Sequence, residues 1–109
     1  MERFVKGDIV VIPFPFSDLS GSKKRPALVL ADLQGDDIIL CQITSQQTKD
    51  KYAIAIKDND FKTGNLTAPS NIRPNRIFTA DKSIIVKKVA TLNEISVKSV
   101  IQKIISILS

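Results

Sequence analysis

Gly7-Asp8-Ile9-Val10-Val11-Ile12-Pro13-Phe14-Pro15-Phe16, followed after a polar stretch by Lys23-Lys24-Arg25-Pro26-Ala27-Leu28-Val29-Leu30-Ala31, decides how this chain folds. Ile9, Val10, Val11 and Ile12 are four β-branched residues in succession, the pattern of a strand buried on both faces. Pro13 and Pro15 have no N–H to give and are expected to end the ladder. Phe14 and Phe16 alternate with them, so the chain leaves the sheet extended. Residues 17–24 (SDLSGSKK) read as a loop, long for a hairpin. Arg25 precedes a proline and is biased toward extended backbone, and Ala27 to Ala31 forms a second strand.

The same reading extends outward. Gln34-Gly35-Asp36-Asp37 is a turn between two apolar runs. Residues 38–44 form a third strand, with Ile39, Cys41 and Ile43 on one face and Leu40, Gln42 and Thr44 on the other. Residues 46–50 turn the chain, and Tyr52, Ile54 and Ile56 alternate as a fourth strand. Residues 58–64 (DNDFKTG) read as a loop, 71–79 as a weak strand interrupted by Pro74, and 84–89 as another short strand. The last segment is helical. Thr91 and Glu94 make a T-x-x-E capping box with an Ala90–Ile95 staple, and Val97, Val100, Ile101, Ile104, Ile105 and Leu108 share one face. Five or six short strands followed by one helix predict a mainly β fold. The expected form is a small, strongly bent antiparallel sheet or partly open barrel with the helix on one side or end. Residues 1–109 read as a single domain without repeats or linkers.

The composition excludes several function classes. With 109 residues, 43% hydrophobic and 25% charged, the chain is ordinary globular material. It has no His, so imidazole acid–base chemistry, His-ligated metals and Ser-His or Cys-His nucleophile pairs are out. Cys41 is the one cysteine and has no neighbouring zinc ligands. No carboxylate spacing suggests a calcium or magnesium cage, so neither metal nor cofactor is expected. Apolar runs reach only four to five residues, against roughly 20 for a membrane helix, and no signal peptide is visible. The expectation is a cytoplasmic protein without a membrane partner. Sixteen Lys and Arg against eleven Asp and Glu give a net charge of +5, which suits a polyanionic partner.

Three clusters invite chemistry, each with a plain alternative. Lys23-Lys24-Arg25 is an anion clamp or a solvated loop end: lysines attract phosphate at range, and a strand-held arginine binds it by a rigid fork. Thr44-Ser45-Gln46-Gln47-Thr48 offers Thr44's hydroxyl to a substrate oxygen near Arg25, or simply caps a strand. Arg73 and Arg76 flank Pro74-Asn75. They line the groove of Arg25, or pair with Asp18 or Asp81 on the surface. Phe14 and Phe16 stack on bases or close the core.

The Gly7-to-Phe16 strand, the Gly21-Ser22-Lys23-Lys24-Arg25-Pro26 approach to the second strand, the Ile43-Thr44-Ser45-Gln46 block and Ile77-Phe78-Thr79-Ala80-Asp81-Lys82 together resemble the MazF/PemK (Kid) toxins of bacterial type II toxin–antitoxin systems. The resemblance spans nearly the whole chain. It implies an SH3-like five- to seven-stranded antiparallel barrel with a C-terminal helix, working as a homodimer. It implies a sequence-specific, metal-independent endoribonuclease that cleaves single-stranded RNA, mainly mRNA, and a cognate antitoxin that blocks the site with an acidic tail. The family's catalytic arginine falls on Arg25 and its threonine on Thr44. RNA contacts would come from residues 16–24 (among them Phe16, Ser17, Ser22, Lys23 and Lys24), from Ser45 and Gln46, and from 71–76 (among them Arg73, Asn75 and Arg76). Some members carry a carboxylate just before the Arg-Pro step. Here Ser20-Gly21-Ser22-Lys23-Lys24 has none, which leaves the general base open. The same barrel also resembles non-catalytic gyrase-poisoning toxins and nucleic-acid-binding SH3-like modules, although the tail here lacks the gyrase poisons' aromatic end.

Overall fold

The computed structural model describes residues 3–14, 23–45 and 50–109. Seven strands among them form one sheet in the order β4-β6-β3-β2-β1-β7-β5, every neighbour antiparallel. They are β1 (Asp8–Phe14), β2 (Lys23–Asp32), β3 (Asp37–Thr44), β4 (Ile54–Ile56), β5 (Phe61–Gly64), β6 (Ser70–Asp81) and β7 (Lys87–Leu92), followed by helix α1 (Glu94–Leu108). The curled sheet with its C-terminal helix is the mainly β architecture the sequence predicts.

The β-branched runs account for the middle of the sheet. Alternate side chains of a strand go to opposite faces, and the central strands bury both. Ile9, Leu28, Leu30, Cys41, Ile43 and Ile72 pack with Ala90, Leu92 and helix residues Val97, Val100 and Ile104 on one face. Val10, Ile12, Ala27, Val29, Ile38 and Leu40 form a second cluster on the other, under Phe4, Phe78, Ala80, Ile84 and Ile85. Burying one such aliphatic side chain contributes about 1.5–3 kcal/mol, so β1, β2 and β3 form the rigid centre. Asp8, fully buried, ties the first turn to β7. Its carboxylate accepts from the Val5 N–H at 2.9 Å and the Thr91 hydroxyl at 3.0 Å.

Several local expectations are corrected. β1 runs through Pro13, which pairs with Lys24, so the ladder does not stop there. Residues 58–64 are not a loop but a 3-10 turn (Asp58–Asp60) and then β5, which pairs with β7 from Phe61↔Leu92 to Gly64↔Ala90. The expected strand at 84–89 is displaced: Lys82–Ile84 is a 3-10 turn and β7 begins at Lys87. Thr91 is not the helix cap, because it lies in β7 and its hydroxyl is engaged by Asp8. Asn93 caps α1, its side chain accepting from the Ser96 N–H at 2.8 Å. Ile95 is 82% exposed and staples nothing, and Ile105 and Leu108 are exposed rather than core.

Candidate functional site

The ladders bring the two predicted catalytic residues to neighbouring central strands. β2 and β3 pair at Leu28↔Cys41 and Ala27↔Gln42. The pairing ends there; the same register extended by two residues would set Arg25 opposite Thr44. On the other flanks, Arg25 pairs with Ile12 of β1 and Thr44 with Asn71 of β6, which in turn faces Ala55 of β4. Ile12 and Arg25 therefore stand side by side on β1 and β2, and Thr44, Asn71 and Ala55 on β3, β6 and β4; the extended register joins the two into one row. Residues directly opposite one another have Cβ atoms about 4.5–5.5 Å apart. By alternation, Arg25 follows Ala27 and Val29, and Thr44 follows Leu40 and Gln42, onto the face away from α1. Arg25 is half-buried and Thr44 buried. Among the described residues Arg25 forms no salt bridge.

Beside this row, β6 departs from regular pairing. Cys41 faces Ile77 and Ile43 faces Ile72, so residues 73–76 bulge out opposite the single residue Gln42. Pro74 explains why the excursion falls here: it has no N–H for a ladder, and a bulge is where a strand accommodates it. The proline is fully buried and anchors the loop of backbone. The Cys41 thiol, also fully buried, donates to the Arg73 carbonyl at 2.9 Å. Burial pushes that thiol up to about 12 despite this hydrogen bond, so it stays a protonated donor.

Arg73 does not pair with Asp81, one of the two surface carboxylates considered for it; the other, Asp18, lies outside the described residues. Its Nε donates to Asp50 Oδ2 at 3.1 Å, with the side chains 20% and 8% exposed respectively. Asp50 also accepts from the Tyr52 N–H at 2.9 Å, and the Asn75 side chain is near enough to act on its carboxyl. The Tyr52 N–H, then the Arg73 and Asn75 side chains, hold its carboxyl below the usual carboxylate range against the opposing effect of burial. Asp50 is the residue that reading the sequence missed. It lies 23 positions from Arg73, and nothing local to residues 46–50 marks it.

The other predicted contacts are scattered. Arg76 and Asn75 are exposed on the bulge, Arg76 without an ion pair among the described residues. Ser45 is exposed just past β3, and Lys24 is exposed one position before Arg25, by alternation on the opposite face. Lys23 begins β2. Phe16, Ser17, Ser22 and Gln46 lie outside the described residues. Among the described residues, no three His, Cys, Asp or Glu side chains group as a metal site, and no helix is long and apolar enough to cross a membrane.

Solved structures share this architecture at low sequence identity. The chain superposes on a MazE–MazF complex from Deinococcus radiodurans with a TM-score of 0.76 and 18% identity, covering 100% of this chain and 98% of that one. A mycobacterial endoribonuclease bound to its cognate antitoxin gives 0.75 and 11%, with 97% and 95% covered. The Mycobacterium tuberculosis toxin MazF-mt6 gives 0.72 and 13%, with 93% and 95% covered. These are likenesses of fold. No curated protein matches the chain by sequence. A family model does match, along residues 5–108 and so across the Arg25–Thr44 row, the β6 bulge and α1 alike, and by it the chain belongs to the PemK-like, MazF-like toxins of type II toxin–antitoxin systems.

Proposed function

We propose that this chain is a sequence-specific, metal-independent endoribonuclease, the toxin of a type II pair, that cleaves single-stranded mRNA by attack of a ribose 2′-OH on the adjacent phosphate. The observation that supports this reading is the β2–β3 register: paired as far as Ala27↔Gln42, it runs toward half-buried Arg25 on β2 and buried Thr44 on β3, which by alternation share one face. In the reaction the 2′-oxygen bonds to phosphorus and the bond to the 5′-oxygen breaks. The products are a 2′,3′-cyclic phosphate, open to hydrolysis to a 3′-phosphate, and a 5′-hydroxyl. The phosphorane carries added negative charge on its equatorial oxygens. Arg25, permanently cationic and able to donate in two directions, stabilises it. Thr44's hydroxyl donates to a nonbridging oxygen or aligns the 2′-OH. With no imidazole in the chain, proton transfer is the slow part of such a mechanism, and Arg25 acts in it as a charge and hydrogen-bond donor rather than as a base.

Arg73, Asn75 and Arg76 on the bulge, with Asn71 in the row itself, are the RNA contacts one strand from Thr44. The segments around residues 16–24 and 45–46 supply the rest and tune which bases are read. Two partners belong to this reading: a second copy of the chain in a homodimer, and an antitoxin whose acidic tail suits the net charge of +5 and occupies the site in place of RNA. The mycobacterial and Deinococcus neighbours, solved with antitoxins, support the second.

The test is incubation of purified protein with a long single-stranded transcript in excess EDTA, with the new ends mapped. Discrete cuts bearing 5′-hydroxyls are expected. A transcript left intact in chelator overturns the proposal, and binding without cleavage points to a non-catalytic toxin.

A further inference from the structure

We propose that Asp50 is a positioning residue: its carboxylate ties the β6 bulge to the turn that leads into β4, and so fixes where Arg73, Asn75 and Arg76 stand beside the Arg25–Thr44 row. The inference rests on the ribonuclease reading for the identity of the ligand, but its geometry is independent of it. Asp50 is itself held. Its Oδ1 accepts from the Tyr52 N–H at 2.9 Å, its carbonyl accepts from the Ala53 N–H at 3.2 Å, and β4 directly beyond pairs with residues 70–72 of β6. The turn is therefore fixed to the same strand that carries the bulge. From that base the carboxylate holds Arg73, the residue before Pro74, through its Nε at 3.1 Å, with the Asn75 side chain close on the other side of the proline.

The need for such a tie follows from the backbone. Residues 73–76 have no regular partner across β3, so ladder hydrogen bonds do not set their conformation as they do for Arg25 and Thr44. Among the described residues, buried Pro74, the Cys41 thiol on the Arg73 carbonyl, and Asp50 stand in for the ladder. Of these only Asp50 holds functional side chains rather than backbone. It uses the Nε edge of Arg73, which fixes the plane of the guanidinium and the direction of its two terminal nitrogens. A guanidinium with a fixed plane recognises one phosphate orientation and loses less freedom on binding than a mobile one. Asp50 thus acts on how RNA is held and not on how the phosphate is cleaved.

Initial rates over a range of transcript concentrations, with anisotropy of an end-labelled random-sequence single-stranded RNA pool for affinity, test this. Asp50→Asn keeps the shape and removes the charge. It should raise KM and the RNA Kd about tenfold while kcat stays within about threefold, and Asp50→Glu should recover most of the loss. In an Arg73→Ala background, Asp50→Asn should add less than about twofold. Unchanged KM and Kd in folded Asp50→Asn overturn the proposal, as does an equal loss in the Arg73→Ala background. Should Asp50→Asn fail to fold, Arg73→Lys decides: it keeps the cation but not the Nε donor, and a wild-type KM there overturns the positioning role. Wild-type protein that binds the pool but leaves transcripts intact refutes the ribonuclease reading alone, with the Kd arm still judging Asp50. Wild-type protein that does neither refutes both.

Discussion

Replacing Arg25 with alanine separates chemistry from stability. Arg25 stands near the start of β2, half-buried, facing Ile12 across the ladder, and among the described residues it forms no salt bridge. The buried run begins two positions later at Ala27. Truncation therefore opens no core cavity and strands no partner charge among the described residues, and the cost in stability should stay within about 1 kcal/mol. The catalytic cost is of another order. Removing one preorganised donor from a developing oxyanion costs roughly 100- to 1,000-fold in rate, about 2.7–4 kcal/mol, and here the donor also carries the positive charge on the row. Cleavage by Arg25→Ala should fall by at least about a hundredfold, with the urea midpoint nearly unmoved. Arg25→Lys should recover only a small part, because an ammonium restores the charge but not the two-pronged donor. Rates on a labelled transcript and urea denaturation of the same preparations are the measurements. Cleavage at the wild-type rate by folded Arg25→Ala refutes the assignment. A loss of more than about 3 kcal/mol in stability refutes the account of β2's start as energetically peripheral.

Other expected outcomes concern the scaffold. Gly64 has φ +69, and a Cβ there would meet the Val89 carbonyl oxygen at 2.4 Å and the Ala90 Cα at 2.9 Å; Gly64→Ala should destabilise by about 2 kcal/mol or more in urea melts. Asp8→Ala leaves the Val5 N–H and Thr91 hydroxyl without their acceptor and should cost about 2–4 kcal/mol by the same measurement; a change under about 0.5 kcal/mol contradicts this. Cys41, fully buried with its thiol pushed up to about 12, should react with a thiol reagent at neutral pH orders of magnitude more slowly in the native protein than in urea. The Tyr52 N–H, with Arg73 and Asn75, lowers the Asp50 carboxyl from its ordinary 3.8. Its stabilisation is therefore present above that value and lost as pH falls through the lower folded one. The stability gap between wild type and Asp50→Asn should accordingly narrow as pH falls below the ordinary carboxylate range, and a gap constant with pH would exclude the ionised carboxylate as its source.

Legibility in the sequence tracked how local each cause was. The strands β1, β2 and β3 were readable because Ile9 to Ile12, Ala27 to Leu30 and Ile38 to Ile43 each place apolar side chains on both faces, a pattern few other environments satisfy. β5 was not readable. Phe61-Lys62-Thr63-Gly64 has one apolar side chain, and it is a strand because β7 offers it an edge. The helix start misled for the opposite reason: Thr91 and Glu94 have the right spacing for a box, but the Thr91 hydroxyl is claimed by Asp8, 83 positions away. Pro74 reads as an interruption and is the pivot of a bulge inside a twelve-residue strand. Arg25, Thr44, Arg73 and Arg76 were singled out through resemblance and residue type. Their relation to one another is a matter of strand register, which no single segment contains.

That difference in origin bears on how such a site works. Arg25 and Thr44 sit on β2 and β3, the fourth and third strands from the β4 edge of a seven-strand order, where the ladders to β1 and β6 and apolar clusters on both faces fix the backbone. Their spacing cannot change without breaking the core. Residues 73–76 have no ladder partner and depend on Asp50, Pro74 and Cys41 for their form. On the proposed function, the groups acting on the phosphate are therefore the least adjustable in the molecule, and the groups that meet the rest of the RNA are among the most adjustable. Substitutions at residues 73–76 or at Asp50 should change which RNAs are bound and how tightly, at little cost to the sheet. Substitutions in the row should abolish cleavage whatever the RNA. A bulge variant that cuts at altered positions with near-normal kcat, beside a Thr44→Val variant that binds the same RNA and cuts none, is the pair of phenotypes this division requires. Finding the two effects reversed would mean that the bulge, not the sheet row, carries the chemistry.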